Sequence, residues 1–390
     1  MSEVNWLEAA EAAEAMGLDP DRVPWIGNTL REAVSAGEIP GGVAVVSRRG
    51  RRIRFACGNA VDDDTGKTPV SFETIFDCAS LTKIMVTLPL TLLLAERGQL
   101  RLDDPAALYL PSLAAAEAKR RSGTGGEQMT LRHLLTHTAG LAPFYDLHSY
   151  GFSRGEIVDF ICQAPPEAAP GARVVYSDLG YILLGEIIAK VAGRPLPELA
   201  SAELFSPLGL ASSGYLTAPA PEMRRRLAST AEPGTAVGSG PAGVPVVVHD
   251  ENARALAGVS GHAGLFATAD DLASYAELWL GRGYSAAAGR RVLSAAAVEA
   301  ATRPCTDGVP GGRRGLGWVL RGDPFDAAGD LLSPVAYGHT GFTGTSLYID
   351  PQRELACVLL TNRVHYGRDR SVAGLRAKFH NTVAAAFADA

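Results

Sequence analysis

Strand-forming patterns occur at both ends of this chain, while the long segment between them has the spacing of helices. Near the beginning, GVAVVSRRG and RRIRFACGN predict a β-hairpin with one solvated face, turning at Arg49 to Arg51. Near the end, GLGWVLRG, SPVAYGH, GTSLYIDP and ELACVLLTN predict further strands, and residues 370–388 predict a closing helix. The middle contains helical patterns such as LGYILLGEIIAKVAG and ADDLASYAELWL. This order predicts an antiparallel sheet built from both ends of the chain around a helical insertion.

The expected fold class is therefore α/β of the α+β kind, with an antiparallel sheet flanked by N- and C-terminal helices and a mainly helical inserted lobe. A chain of 390 residues is long enough for two lobes that share a core. We expect a helical extension over residues 1–20, an α/β lobe from residues 21–104 and 306–390, and the inserted lobe over residues 105–305.

Composition excludes several classes of partner. The formal net charge is −6 and both signs are interspersed, so no basic face suits nucleic acid. The first residues, MSEVNWLEAAEAAEAMGLDP, are acidic where a secretory signal is basic, so export by that route is not expected. The longest apolar stretch, Ile84 to Ala95, is about 12 residues long and contains Pro89, whereas a membrane span needs about 20. It predicts a buried helix and no membrane span.

Cysteine and histidine spacing predicts neither disulfides nor a metal site. The five cysteines are scattered and odd in number, which favours reduced thiols in a cytoplasmic protein. His133 and His137 are four residues apart on a predicted helix, but no glutamate lies between them in the metallopeptidase pattern and no third ligand is evident. We expect no metal and no cofactor. His249 and His262, in HDENARALAGVSGHAGLF, are expected to be structural.

The segment FDCASLTKIMVT contains the first candidate catalytic group. Ser80 opens an apolar helix and Lys83 follows three residues later, which places both side chains on one helical face. A lysine desolvated among apolar groups has a lowered pKa and can help remove the serine proton. The same pattern is also explained by Ser80 acting as a helix N-cap.

Two further segments carry polar groups that could face a cleft. In VVYSDLGYILLGEII, Tyr176 and Asp178 precede a helix, where Asp178 could equally be an N-cap and Tyr176 an aromatic anchor. In YGHTGFTGTSLYID, His339, Thr340 and Gly341 lie on a predicted strand that a tight turn connects to the next one, and Gly341 would let a substrate lie close to the strand backbone.

Together the three segments resemble, in order and approximate spacing, the group of class C β-lactamases, low-molecular-weight penicillin-binding proteins and family VIII esterases. The resemblance runs from about Trp25 to the C-terminal helix. It implies one catalytic domain of the β-lactamase/transpeptidase-like fold. It also implies an acyl-enzyme on Ser80, with Lys83 in its proton network and Tyr176 as partner base.

The resemblance further implies an oxyanion hole made by the backbone N–H groups of Ser80 and Phe342, while His339, Thr340 and Gly341 would orient the substrate. Two residues depart from the usual pattern of the group: Asp178 stands where asparagine is usual, and His339 where lysine is usual. A neutral histidine holds an anion weakly and an aspartate repels one, so both changes disfavour penicillins and cephalosporins.

The expected function is a serine hydrolase that acts as an esterase or amidase on small substrates, with weak or no β-lactamase activity. One alternative is a D-amino-acid-specific peptidase, carboxypeptidase or acyltransferase. Another is a catalytically silent binding protein of the same fold. The expected partner is a small ester, amide or short peptide, and the sequence does not indicate an oligomeric state.

Overall fold

The structure is a computed structural model that describes residues 6–63, 66–121, 128–217, 219–231 and 248–387. Its β-strands are β1 Gly41–Arg48, β2 Arg51–Asp63, β3 Gly66–Pro69, β4 Phe76–Asp77, β5 Gly214–Tyr215, β6 Leu265–Ala267, β7 Tyr284–Ser285, β8 Arg290–Arg291, β9 Val319–Leu320, β10 Tyr337–Thr340, β11 Ser346–Asp350 and β12 Leu355–Thr361. Its α-helices are α1 Trp6–Ala15, α2 Val23–Ser35, α3 Leu88–Glu96, α4 Pro111–Arg121, α5 Leu131–Leu135, α6 Arg154–Gln163, α7 Asp178–Ala192, α8 Leu196–Ala200, α9 Ser206–Leu208, α10 Pro221–Arg224, α11 Glu251–Ala255, α12 Ala269–Leu280, α13 Ala295–Thr302 and α14 Ala373–Ala385.

A seven-stranded antiparallel sheet joins the two ends of the chain. Its order is β3-β2-β1-β12-β11-β10-β9, so the first strand of the chain pairs with the last. In that central pair Val45 lies opposite Val358. The fold class predicted from the sequence, an antiparallel sheet combined with many helices, is confirmed.

Strand β1 is buried on both faces, whereas β2 keeps the partly solvated face expected of the first hairpin, with Arg54 exposed. Val43 and Val45 of β1 pack into the core formed with the inserted helices. Ala44 and Val46 pack into a second core with α1, α2 and α14. A strand between two layers of helices is apolar at every position, and GGVAVV has that pattern rather than strict alternation.

A smaller sheet supports the chain just before Ser80. Its order is β4-β6-β5, with Phe76 opposite Ala267 and Asp77 opposite Phe266. Beyond β4 the backbone N–H of Cys78 donates to the carbonyl of Leu265 at 2.8 Å. The segment that leads into Ser80 is therefore held by the strand that follows His262.

The buried helix after Ser80 begins with a π-helical turn over Lys83–Thr87 and continues as α3. The N–H of Leu88 donates to the carbonyl of Lys83, five residues earlier. Pro89 has no N–H to offer the carbonyl of Ile84, which instead accepts a hydrogen bond from the Tyr275 hydroxyl. Wide turns of this kind are frequent at functional sites. No helix in the described ranges is both long and apolar enough to cross a membrane.

Candidate active site

Ser80 lies in a tight turn between β4 and the buried helix. Ala79, the residue before it, has a φ of 47°, in the left-handed region that costs a residue with a side chain about 1–2 kcal/mol. The Ala79 N–H donates to the Asp77 carboxylate at 2.8 Å, which stabilises the turn. Ser80 itself is partly buried and lines the main cleft.

Lys83 lies beneath Ser80 with its side chain fully buried. Its ammonium donates to Ser80 Oγ at 3.1 Å, to Asp178 Oδ1 at 2.6 Å and to the backbone carbonyl of His262 at 3.1 Å. A lysine ammonium has three N–H donors, and the Tyr176 side chain is a fourth hydrogen-bonding neighbour of this one. Residues 80, 83 and 178 are therefore joined in one hydrogen-bonded network.

The structure corrects the expectation that burial lowers the pKa of Lys83. Burial alone would lower this pKa, but Asp178 and Tyr176 outweigh it and raise the pKa of Lys83 above its ordinary value. The resting lysine is an ammonium at neutral pH. It therefore donates a hydrogen bond to Ser80 and has no lone pair with which to accept the serine proton.

The carboxylate of Asp178 is not the free anion that was expected from the sequence. It is the first residue of α7, and the Lys83 ammonium neutralises its carboxylate. The carboxylate is about one-fifth exposed and lines the cleft. The argument that Asp178 repels anionic substrates is therefore wrong in its simple form, because the pair as a whole carries no net charge.

Tyr176 projects into the cleft between aromatic and cationic groups. Its ring packs against His137 at an interplanar angle of 37°, with centroids 4.5 Å apart. The Lys83 ammonium lies 5.1 Å from the centroid of the Tyr176 ring, and the Arg314 guanidinium lies 5.7 Å from it. The His339 ring is a further neighbour of Tyr176, with ring centroids 6.0 Å apart. The structure thus brings Tyr176 to the same cleft as Ser80 and Lys83.

The β10–β11 turn is attached directly to the Ser80 turn. Thr343 Oγ1 donates to the Asp77 carbonyl at 2.7 Å, and Thr345 Oγ1 donates to the Cys78 carbonyl at 3.2 Å. A Cβ on Gly341 would lie 2.6 Å from the Cys78 carbonyl oxygen, so a side chain does not fit there. Glycine at 341 is explained by this contact between the two turns, which is a different reason from the substrate approach that was expected.

Within the described ranges the backbone N–H groups of Ser80 and Phe342 donate to no other group of the protein. Both residues line the cleft.

His339 and Thr340 line the cleft at the end of β10. Burial lowers the pKa of His339 well below its usual range, and the Lys83 and Arg314 charges lower it further. The neutral ring lies with Nδ1 2.8 Å from the Thr340 carbonyl, which can only accept, so Nδ1 carries the proton. His339 therefore offers the cleft no positive charge at neutral pH.

Sequence reasoning missed the contribution of the segment from His249 to Gly264. The His262 carbonyl binds Lys83, while its ring lies 2.9 Å from Asp250 Oδ1 and 2.7 Å from Ser260 Oγ. The His249 N–H donates to Asp77 at 2.7 Å, and the His249 ring stacks on Phe342. The His262 ring is held by hydrogen bonds, whereas the His249 ring lines the cleft next to the candidate catalytic groups. The only signal in the sequence was the family resemblance of this segment.

Arg314 is a second group that the sequence did not reveal. Its side chain is almost fully buried against Asp323, with Nε 2.9 Å from a carboxylate oxygen. The guanidinium carbon also lies 5.5 Å from the centroid of the Phe325 ring. Arg314 therefore places a paired cation behind Tyr176.

The cleft has a volume of about 470 Å³ and an apolar mouth. Phe144, Phe325 and Phe342 line it and are 47%, 57% and 45% exposed. Exposed aromatic rings at the mouth of a cleft favour an apolar ligand group.

Potential metal ligands in the cleft are engaged with one another. The ligand atoms of Asp178, Asp250 and His262 lie within 4.8 Å of each other. The Lys83 ammonium forms an ion pair with Asp178, and the His262 ring contacts the Asp250 carboxylate. His133 and His137 were the second candidate pair of metal ligands. His137 Nδ1 accepts a hydrogen bond from the Ser177 N–H, which orients the His137 ring.

Comparison with known proteins identifies the family. The beta-lactamase family model matches residues 26–381. This chain belongs to the beta-lactamase family. A putative D-alanyl-D-alanine carboxypeptidase of Escherichia coli K12 is 32% identical over 311 residues, which cover 75% of this chain and 70% of the relative. An N-acetylmuramyl-L-alanine amidase of Bacillus subtilis is 30% identical over 380 residues, covering 90% and 83%.

Among solved structures, the hydrolase EstCE1, described as having promiscuous acyltransferase activity, matches with a TM-score of 0.71 and 25% identity, covering 93% of this chain and 98% of that one. The beta-lactamase family assignment and these relatives identify the chain as a hydrolase of the serine β-lactamase and penicillin-binding-protein type.

Proposed function

We propose that this chain is an acyl-enzyme hydrolase that cleaves small neutral esters or amides, with Ser80 as its nucleophile. The observation that carries the proposal is the fully buried Lys83 ammonium donating to Ser80 Oγ at 3.1 Å in the wall of the cleft. A buried lysine is expensive unless its charge has a use and a partner. A serine that accepts from a buried cation has its own proton free to leave in another direction.

Tyr176 is the proposed proton carrier. Because all three N–H groups of Lys83 are engaged and its pKa is raised, the resting lysine does not act as the base. The Lys83 ammonium lies 5.1 Å from the centroid of the Tyr176 ring and the Arg314 guanidinium lies 5.7 Å from it, so two cations lie beside the phenol. Tyr176 would take the proton of Ser80 as the acyl bond forms and return it to the leaving group.

The proposed oxyanion hole consists of the N–H groups of Ser80 and Phe342. The carbonyl oxygen of a bound ester acquires negative charge when Ser80 attacks, and two preorganised N–H donors stabilise that charge. Support comes from the hydrogen bonds of Thr343 and Thr345 to the Ser80 turn, which hold the two donors in a fixed relation. His339, Thr340 and Gly341 would line the path of the substrate beside them.

A neutral substrate with an apolar acyl group suits the charge state of His339 and Asp178 and the phenylalanines at the mouth of the cleft. His339 is neutral and Asp178 is neutralised, so neither supplies the free cation that would hold a carboxylate. The phenylalanines at the mouth, Phe144, Phe325 and Phe342, would pack on an apolar acyl chain or ring. We therefore expect ester or amide hydrolysis to exceed β-lactam hydrolysis.

A D-amino-acid-specific peptidase or an acyltransferase is the second candidate. The E. coli relative is named as a putative D-alanyl-D-alanine carboxypeptidase, and EstCE1 as a hydrolase with acyltransferase activity. Four arginines line the cleft and are cations that could attract a C-terminal carboxylate: Arg314, which is paired with Asp323, and Arg363, Arg368 and Arg376. Product analysis with an added amine or alcohol separates transfer from hydrolysis, and the presence of Ser80, Lys83 and Tyr176 in one cleft weighs against a silent binding protein.

The five cysteines are free thiols in the structure. Burial raises the pKa of Cys357 and of Cys78 above the ordinary thiol value, which makes them unreactive. Free thiols favour a reducing compartment, so we propose a cytoplasmic location.

Ser80→Ala tests the proposed function. The variant should lose covalent labelling by an active-serine phosphonate and lose hydrolysis of a p-nitrophenyl ester. Ser149→Ala, at an exposed serine outside the cleft, is the matched control and should behave as the wild type. Full activity of the Ser80 variant would remove the nucleophile assignment.

A further inference from the structure

Asp77 is a fully buried carboxylate that makes no ion pair in the described part of the chain. It is 1% exposed, at the end of β4, three residues before Ser80. Its Oδ1 accepts the Ala79 N–H at 2.8 Å and its Oδ2 accepts the His249 N–H at 2.7 Å. A carboxylate away from water is unfavourable, so its retention needs a reason that a neutral side chain would not satisfy.

The two hydrogen bonds of the carboxylate reach both sides of the proposed oxyanion hole. On one side, Ala79 directly precedes Ser80, and its strained φ of 47° is held by Asp77 Oδ1. On the other side, the ring of His249 stacks on Phe342 with centroids 5.6 Å apart. The backbone carbonyl of Asp77 also accepts from Thr343, the residue after Phe342. One residue thus contacts the neighbours of both N–H donors.

We propose that Asp77 is a positioning residue whose ionised carboxylate aligns the N–H groups of Ser80 and Phe342 for the acyl-transfer step. Only an ionised carboxylate accepts freely on both oxygens, because protonation converts one of them into a donor. Asparagine has one accepting oxygen and an NH₂ group that cannot accept. The inference rests on the proposed function, since it concerns the same oxyanion hole.

The proposal predicts a loss of turnover in mild acid. Burial raises the pKa of Asp77 to about 6, with Asp250 raising it and Arg254 lowering it. Below that pH the protonated carboxyl loses one of its two acceptors, so kcat should fall as pH decreases through about 6.

Neighbouring groups titrate elsewhere or can be tested separately. Burial lowers the pKa of His249 to about 4. Burial raises the pKa of the Cys78 thiol well above its ordinary value. Burial would also raise the pKa of Asp250, but His262 outweighs it and holds that carboxyl below its usual range. His262, which pairs with Asp250, is tested with its own variant, His262→Gln.

The experiment compares Asp77→Asn with a matched control, Asp350→Asn. Asp350 is equally buried and accepts N–H groups of Ser333 and Gln352, and unlike Asp77 it also pairs with Arg353 at 3.4 Å. It lies at the end of β11 and outside the cleft lining. With a neutral p-nitrophenyl ester, Asp77→Asn should lower kcat about tenfold to a hundredfold, with KM within about threefold of the wild-type value. The acid limb of the pH profile, which is the fall of kcat as pH decreases through about 6, should be absent from this variant. Asp350→Asn should keep the wild-type kcat and pH profile even if its thermal stability falls.

Several results would overturn the inference. They are a wild-type kcat in Asp77→Asn, an acid limb that persists in this variant, or a limb that disappears in His262→Gln instead. Where Asp77→Asn does not fold, the wild-type profile decides, since a kcat that is flat from about pH 5 to 8 contradicts the role of Asp77. Phosphonate labelling keeps the two proposals distinct: failure of Ser80→Ala to lose labelling removes the proposed function, whereas a Ser80-dependent enzyme indifferent to Asp77→Asn removes only the positioning role.

Discussion

Replacing Asp178 by asparagine should destabilise the protein through Lys83. The substitution keeps an oxygen that can accept from the lysine but removes the negative charge 2.6 Å from a fully buried ammonium. At an effective dielectric constant of about 20, unit charges at this distance attract by about 6 kcal/mol. The retained hydrogen bond, the partial exposure of residue 178 and loss of the lysine proton all reduce this figure. We expect the free energy of unfolding to fall by about 2–4 kcal/mol at pH 7.

The pH dependence of this loss has a definite sign. In the wild type the pKa of Lys83 is raised above its ordinary value, so its stabilising effect is full below about 10.5 and is lost as pH rises through the folded value. In Asp178→Asn, burial lowers the pKa of Lys83. As pH rises, the lysine therefore loses its proton in the folded state before it does so in the unfolded state. The stability of the variant should therefore increase from neutral to alkaline pH, and its deficit relative to the wild type should narrow.

Urea unfolding followed by tryptophan fluorescence measures the effect, with two controls. Glu354→Gln makes the same chemical change in the Arg49 ion pair, whose side chains are more than half exposed, and should change stability by less than about 1 kcal/mol. The second control is a double-mutant cycle with Lys83→Met. If Asp178→Asn costs as much in the Lys83→Met background as in the wild type, the penalty does not come from an unpaired ammonium and the reasoning is refuted.

Four further outcomes are expected. Lys83→Ala should lower kcat for a p-nitrophenyl ester by about 10² to 10⁴, and a rate within tenfold of wild type would contradict its role. Tyr176→Phe keeps the ring packed against His137 but removes the hydroxyl, so steady-state kinetics should show a loss of similar size in kcat with KM nearly constant. Asp178→Asn leaves the Lys83 charge unbalanced and should raise the rate on a carboxylate-bearing cephalosporin relative to a neutral ester; an unchanged ratio counts against this. Phe325→Ala should raise KM for apolar esters about tenfold, the equivalent of about 1.4 kcal/mol of lost burial, and an effect confined to kcat would argue against a binding role.

Much of the fold could be predicted because each element carries a strong local pattern. The strands at both ends and the helices α6, α7 and α12 follow their apolar spacing. The solvated face expected for the first hairpin is present on β2 but not on β1, because burial of β1 on both faces depends on which helices cover the sheet, and pairing partners about 300 residues apart leave no local trace.

The sequence predicted which residues form the candidate site, but not how their charges are paired or in which direction their pKa values shift. The sequence and the family resemblance pointed to Ser80, Lys83, Tyr176 and Asp178. They could not show that Asp178 neutralises Lys83, because an ion pair between residues 95 positions apart exists only after folding. The pKa of a buried lysine falls or rises according to that partner, so the expected direction was reversed. Asp77 went unnoticed for the same reason, since one of its two N–H donors, that of His249, comes from a distant part of the chain.

The pairing of β1 with β12 has a consequence for synthesis of the protein. Strand β1 leaves the ribosome about 300 residues before its partner exists, which at about 5–20 residues per second is a delay of about 15–60 seconds. During that interval its apolar edge is open to unwanted pairing. In a nascent chain of this kind the sheet can be completed only late, when the final strand has been synthesised. The time for which the chain needs a chaperone during translation should therefore depend on when that strand leaves the ribosome.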